Sequence, residues 1–394
     1  MPKRVLGNIA NFNSVRNLGV KRVAETSPKP LCKKSKNQTL EPTTENDCRN
    51  RNKENIKNDC DTTTRTLELR VKNIRIAGEC QNDVLEKPKC MVNQQPQSTI
   101  SLECDIDFSN PISYYQKPSD IPEDVEDFDK NQIADVFSEP QYARDVFNYY
   151  KRKEVELRCT KYLHNQPEIS KSMRAVLIDW LVEVQESFEL NHETLYLAVK
   201  VIDHYLTREK IPKAKFQLLG ATAILIAAKY DERIPPSIED FLYICDNAYS
   251  RQDVIVQEID ILKKLDFCLG YPLSYRFLRR YARCSKLSME TLTLARYILE
   301  MSLMEYDFIE FEDSLISAAA LLLALKMKQP HEQCWSKSLK YYSGYDESHL
   351  ITLMYKLNDF ISTPKLNLKT IRNKYSHKIF FEVAKINPLP KRKV

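Results

Sequence analysis

Two segments of this chain would form helices that are apolar on every side. Gly220-Ala-Thr-Ala-Ile-Leu-Ile-Ala-Ala-Lys229 and Ser317-Ala-Ala-Ala-Leu-Leu-Leu-Ala-Leu-Lys326 offer almost nothing to water. A helix without a polar face must be surrounded by other helices, and its small alanines let those neighbours approach closely. The two segments correspond, with Ala223 against Ala320, and Tyr249-Ser-Arg-Gln stands against Tyr345-Asp-Glu-Ser at nearly the same offset. An offset kept over a domain-sized stretch predicts a duplicated module with its third helix at the centre. The periodicity places helical segments at 171–187, 192–207, 214–231, 237–247 and 251–266, then at 272–284, 288–305, 313–328, 335–343 and 346–361. Pro235-Pro236 closes the first central segment, and Gly270-Tyr271-Pro272 divides the two units. An amphipathic segment over 140–163 precedes them, with Val146, Tyr149, Tyr150 and Val155 at helical spacing. The expected fold is all-α: two tandem five-helix bundles behind an N-terminal helix (134–165) and a long disordered tail.

Composition narrows the function classes. Of six glycines only Gly220, Gly270 and Gly344 lie beyond residue 78, which argues against phosphate loops, dinucleotide turns and tight hairpins. Eleven cysteines form no Cys-x-x-Cys pair and no Cys/His cluster, so no metal and no cofactor are expected, and free thiols fit a cytosolic or nuclear protein. The six histidines are scattered and make no nucleophile–base constellation, so no catalytic residues are expected. The longest apolar run, Phe216–Tyr230, is too short to cross a bilayer, and no membrane partner is expected. The net charge of +5 is unevenly placed, with basic clusters near both ends and an acidic stretch at 119–129. Residues 1–125 are rich in Asn, Lys, Thr, Asp and Pro without sustained apolar period and read as a disordered regulatory tail; 376–394 read as a basic C-terminal tail.

Residues 173–184, Met-Arg-Ala-Val-Leu-Ile-Asp-Trp-Leu-Val-Glu-Val, have two apolar sides. Met173, Val176, Leu177, Trp180 and Val184 fall on one stripe, while Ile178, Leu181 and Val182 fall on another with Arg174 among them. Such a helix is either buried all round or packs inward on one stripe and offers the other to a partner. The arginine requires a carboxylate, and Asp203 in the next apolar segment is the candidate for a structural ion pair.

The wording of this helix resembles the first helix of the cyclin box. Arg174, Asp203, Leu218, Lys229 and Glu258 stand at the family's characteristic positions, and the resemblance covers roughly 134–375. Glu193-Thr-Leu-Tyr-Leu-Ala-Val-Lys, Gln217-Leu-Leu-Gly-Ala-Thr-Ala and Phe277-Leu-Arg-Arg-Tyr-Ala-Arg-Cys resemble B-type mitotic cyclins, and the last, with Thr291-Leu-Thr-Leu-Ala-Arg-Tyr-Ile, resembles the cyclin B3 group. The resemblance implies a first cyclin box at 170–269, binding a mitotic cyclin-dependent kinase catalytic subunit, and a second at 270–375. It implies that Lys229 and Glu258 hydrogen-bond kinase backbone beside the αC helix, and that Ile226, Tyr230, Leu262, Phe267 and Leu269 form an apolar socket for that helix. From spacing alone, Lys229 and Glu258 fit a salt bridge within the bundle equally well, and one pair can do both. Met173, Val176, Leu177 and Trp180, with Glu183, Phe216 and Gln217, match the cyclin groove for Arg-x-Leu substrates; an apolar stripe of this kind is otherwise core. Val176 and Phe216 depart from the commoner Ile and Leu.

The tail carries short signals. Lys53-Glu54-Asn55 is a KEN box, and Lys3-Arg-Val-Leu6-Gly-Asn-Ile-Ala-Asn11 resembles a destruction box with Lys3 where the family has Arg. Both would engage adaptors of the anaphase-promoting ubiquitin ligase. Lys21-Arg22 followed by Lys33-Lys34-Ser-Lys36 reads as a bipartite nuclear import signal or as a solvated basic run, and Ser27-Pro28 between its halves is a minimal proline-directed phosphorylation site. The competing reading is a DNA-binding factor of the TFIIB type, which also uses two cyclin-like bundles. Arg276, Arg279, Arg280 and Arg283 offer a partial basic stripe for it, but the zinc ribbon of those factors is missing, and direct nucleic-acid binding is not expected.

Overall fold

The computed structural model describes residues 120–135, 138–330, 334–363 and 368–390. Among these residues the regular structure is helical throughout, with no strand. Helix α1 (Pro140–Glu156) precedes the first bundle, α2 (Lys171–Ser187), α3 (His192–Arg208), α4 (Phe216–Asp231), α5 (Ile238–Ile244) and α6 (Arg251–Lys264). The second bundle is α7 (Ser274–Cys284), α8 (Met289–Leu303), α9 (Asp313–Lys328), α10 (Lys337–Ser343) and α11 (Glu347–Ser362), and a short α12 (Thr370–Tyr375) follows. The ten expected bundle helices are present, with ends within three residues of those read from the periodicity.

The central helices behave as their composition demands. Every residue of α4 from Phe216 to Ala228 is buried, as is every residue of α9 from Ile316 to Leu325. Serine starts several of the surrounding helices: the hydroxyls of Ser170, Ser288 and Ser336 accept from the amide three residues on, and Ser237–Asp240 and Ser250–Asp253 form reciprocal capping boxes. Gly220 is required on α4 for a spatial reason, since a Cβ there would stand 2.7 Å from Leu177 Cδ1 on α2. The missing side chain lets the two helices touch.

Both boundaries of the ordered body differ from expectation. Residues 120–125, expected in the disordered tail, are folded, with Ile121 and Val125 buried together with Phe128. This segment is fastened to the second bundle: the Phe128 amide donates to Tyr342 Oη at 2.9 Å, Asp129 takes both guanidinium nitrogens of Arg280, Asp124 meets Lys337 and Glu126 meets Lys286 at 2.7 Å. Its acidity complements basic residues far along the chain. The expected basic tail from residue 376 is also folded through 390. Val383 is fully buried, and the Asn358 side chain exchanges two hydrogen bonds with the backbone of Leu389, at 2.9 and 3.0 Å. These attachments run from side chain to backbone and leave no periodic trace in sequence.

Gly220→Ala is expected to lower stability by up to about 2 kcal/mol, because overpacking costs of about 1–3 kcal/mol are set against a helix-propensity gain of about 1 kcal/mol. Combined with Leu177→Ala it should show a favourable coupling of about 1 kcal/mol or more in a double-mutant cycle, read from denaturant midpoints.

Candidate kinase-binding and docking surfaces

Lys229 lies in the last turn of α4 and Glu258 in the middle of α6. Their side chains meet at 2.6 Å, with Lys229 43% exposed and Glu258 16% exposed. The pair therefore links the two helices and still presents an ammonium with donors to spare at the surface. Around it the expected socket residues divide. Ile226 is 3% exposed and forms floor, Leu262 and Leu269 are half-buried, and Tyr230 and Phe267 stand out at 57% and 68%. Phe267 is held outward by strained backbone: Asp266 and Phe267 have φ of +53° and +56°, a left-handed conformation unfavourable for bulky residues. Sequence reasoning missed Ile259 and Val256, both exposed. The signal was available, because α6 is apolar at 255, 256, 259 and 262 in addition to its buried Val254 and Ile261.

The docking-groove residues come together on α2 and the start of α4. Leu177, Trp180, Phe216 and Gln217 are buried, whereas Met173, Val176 and Glu183 are half-buried along the rim. Much of the stripe is thus core, and only its edge is open. Beneath it Arg174 and Asp203 form a buried bidentate pair, Nε to Oδ1 and Nη2 to Oδ2 both at 2.7 Å. The remaining Nη1 donates to the carbonyl of Leu303 in α8, and the Tyr162 hydroxyl donates to Asp203 Oδ1 at 2.7 Å. Despite its burial, the Asp203 carboxylate holds the Arg174 guanidinium above its ordinary range.

The arginines that would form a DNA-facing stripe are each occupied. Arg276 pairs with Asp231 at 3.6 Å, Arg279 with Glu193 at 2.6 Å, Arg280 with Asp129, and Arg283 with Asp135 at 3.4 Å. Among the described residues no group of three metal-ligating side chains comes together, and no helix is long and apolar enough to cross a membrane. His192 is half-buried and His204 buried, and desolvation brings each down to about 4. The KEN box (Lys53, Glu54, Asn55), the destruction-box residues Lys3, Leu6 and Asn11, and the import residues Lys21, Arg22, Lys33, Lys34 and Lys36 all lie outside the described residues.

Residues 145–270 match the family Cyclin, N-terminal domain, and residues 272–389 match Cyclin, C-terminal domain. The chain is 54% identical over 271 residues to the G2/mitotic-specific cyclin-B3 of Drosophila melanogaster, an alignment covering 68% of this chain and 47% of the fly protein. It is 49% identical over 271 residues to the cyclin-B3 of Gallus gallus, covering 68% of this chain and 67% of the relative. For the cyclin-B3 of Caenorhabditis elegans the figures are 43% over 269 residues, 67% of this chain and 70% of the worm protein. The chain belongs to the B-type cyclins, close to cyclin B3. Its aligned part spans about half the length of the fly relative. Tandem cyclin folds account for the duplicated pattern of this cyclin, and its two bundles are the two matched domains.

The two ion pairs of this cyclin should differ sharply in energetic weight. Asp203→Ala strands a buried guanidinium and is expected to cost about 3–5 kcal/mol. Glu258→Ala breaks a pair with a solvent-facing lysine and should cost less than about 1 kcal/mol. Urea unfolding of the two variants provides the comparison.

Proposed function

We propose that this chain is the activating, non-catalytic subunit of a mitotic cyclin-dependent protein kinase. The observation that carries this reading is the Lys229–Glu258 pair, a partly exposed ammonium joining α4 to α6, with Tyr230 and Ile259 exposed on the same two helices and Phe267 exposed just beyond α6. A protein kinase is active only when its β3 lysine pairs with the αC glutamate and its activation loop is ordered. A surface with apolar purchase and fixed polar donors can grip the αC helix in the position where that pair forms. Lys229, oriented by Glu258, would donate to kinase backbone, while Leu262, Phe267 and Leu269 would take the helix over the floor set by Ile226. Binding shifts the kinase towards its active arrangement by the difference in affinity for the two states.

The finer parts of the proposal rest on motifs. The rim formed by Met173, Val176 and Glu183 over Leu177, Trp180, Phe216 and Gln217 suits a peptide with one arginine and one leucine, the arginine meeting the carboxylate. The KEN box and the Lys3–Asn11 segment would deliver the chain to the anaphase-promoting ubiquitin ligase, ending its activity in mitosis or meiosis. Lys21-Arg22 and Lys33-Lys34-Ser-Lys36 would direct it to the nucleus.

The decisive test is histone phosphorylation by a purified mitotic cyclin-dependent kinase mixed with the full-length chain. Wild type should activate strongly. Glu258→Ala, folded by circular dichroism, should bind about 30-fold or more weaker, since truncating one partner of a hydrogen-bonded charge pair at an interface costs about 2–5 kcal/mol. Full activation by the folded variant would reduce Glu258 to a structural role. No activation by the wild type would sink the reading for that kinase.

A further inference from the structure

We infer that Glu154 is the positioning residue that seats α1 beside the Lys229–Glu258 surface, and that it does so by capping the central helix of the second bundle. Along its whole length α1 fully buries only Ala143 and Glu154, so its apolar seat consists of partly buried side chains. Phe147 and Tyr150 lie half-buried against Phe277, while Tyr142, Val146 and Tyr149 remain exposed at i, i+4 and i+7.

The Glu154 carboxylate enters the start of α9. Its Oε2 accepts from the Ser314 amide at 2.8 Å and its Oε1 from the Ser314 hydroxyl at 2.6 Å. The first amides of a helix lack intrahelical partners, and a carboxyl oxygen meets that need whether or not the group is ionised. The local N-cap residue of α9, Glu312, makes no side-chain cap, so the cap arrives from another helix. Lys151, one turn earlier on α1, donates to the Ser343 carbonyl of the same bundle.

The other neighbour of α1 is the candidate kinase surface. Arg276 donates to the Tyr150 hydroxyl at 3.1 Å and pairs with Asp231, two residues beyond Lys229. Lys153 lies near Cys268, which follows Phe267. A helix held by the second bundle thus runs alongside the partner surface of the first.

The seat is also linked to protons. Burial pushes the Glu154 carboxyl up to about 7 against the opposing pull of its Ser314 donors. The groups facing it are Ser314, Glu312 and Asp313 of α9, Lys151 of its own helix, Tyr281 of α7 and Tyr345; Asp313 is itself engaged by Lys200 at 2.7 Å. An undocked α1 returns Glu154 to its ordinary 4.5. The docked form therefore holds an extra proton between about 4.5 and 7. Docking is strongest below that window and weakens as pH rises through it, by about tenfold between pH 6 and pH 8.

The inference about the partner rests on the proposed kinase reading, and the experiment separates the two. Amide hydrogen exchange of the full chain without kinase, corrected for intrinsic rates, is compared at pH 6 and pH 8 for wild type, Glu154→Gln and Glu154→Ala. Wild-type α1 should be about tenfold better protected at pH 6. The Gln variant should lose that pH dependence, and the Ala variant should exchange at least tenfold faster in α1 with α2–α6 unchanged. Kinase titrations at both pH values should show affinity falling in step with α1 protection. Equal α1 exchange in wild type and the Ala variant overturns the seat. Loosened α1 with undiminished kinase affinity overturns its role towards the partner. A wild-type chain that never activates the kinase, while its α1 exchange still follows Glu154, overturns the kinase reading and upholds the seat.

Discussion

The buried pair of Arg174 and Asp203 is the constraint from which the remaining geometry follows. A guanidinium in the interior is tolerable only when its charge and its donors are all met. Asp203 meets two of them from α3, and the Leu303 carbonyl meets a third from α8. One side chain therefore fixes the rotation of α2 against α3 and ties the first bundle to the second. That rotation turns the Met173 edge outward and leaves Leu177 against Gly220. Tyr162, whose hydroxyl binds the same carboxylate, adds the segment between α1 and α2 to the arrangement, and its own amide accepts no freedom either, donating to Tyr306 Oη.

Two further pairs, one largely and one fully buried, repeat the device along the seam. Lys200 of α3 meets Asp313 of α9 at 2.7 Å, and Lys374 of α12 meets Glu300 of α8 at 2.6 Å while also donating to Gln185 of α2. Burial opposes the charge on Glu300, but its lysine partner holds the carboxyl below its usual range. Apolar surfaces of similar shape would join the bundles as firmly, yet they would permit sliding. Charged pairs of fixed geometry select one relative placement. The Lys229–Glu258 pair differs in kind, being partly open to water and contributing little to the fold.

The bundles were largely legible in sequence because their helices obey a strong local rule. An Ala/Leu segment with no polar face has one solution, and the repeat at Ala223 and Ala320 made that solution appear twice. The Arg174–Asp203 pair could be anticipated because a charge on an apolar stripe needs an opposite charge on a neighbouring one. The ends were misread for the converse reason. Residues 120–125 and 376–390 are held through Asp124 on Lys337, with Asp129 on Arg280 just beyond, and through Asn358 on the Leu389 backbone, contacts between distant residues that impose no period. Exposed Ile259 and Val256 escaped notice because the extra apolar width of α6 looks the same whether it is covered or bare.

By itself, then, the sequence determined helix content, the duplicated architecture and the identity of the central helices, since these depend on periodicities within a few turns of chain. Only the tertiary structure decided which apolar residues are floor and which are rim, that Lys229 and Glu258 meet at the surface, and that the arginines of α7 are already neutralised. It also placed Glu154 at the start of α9. These outcomes turn on which side chains from remote segments reach the same few ångströms, and burial and charge pairing are properties of that meeting and not of either residue alone.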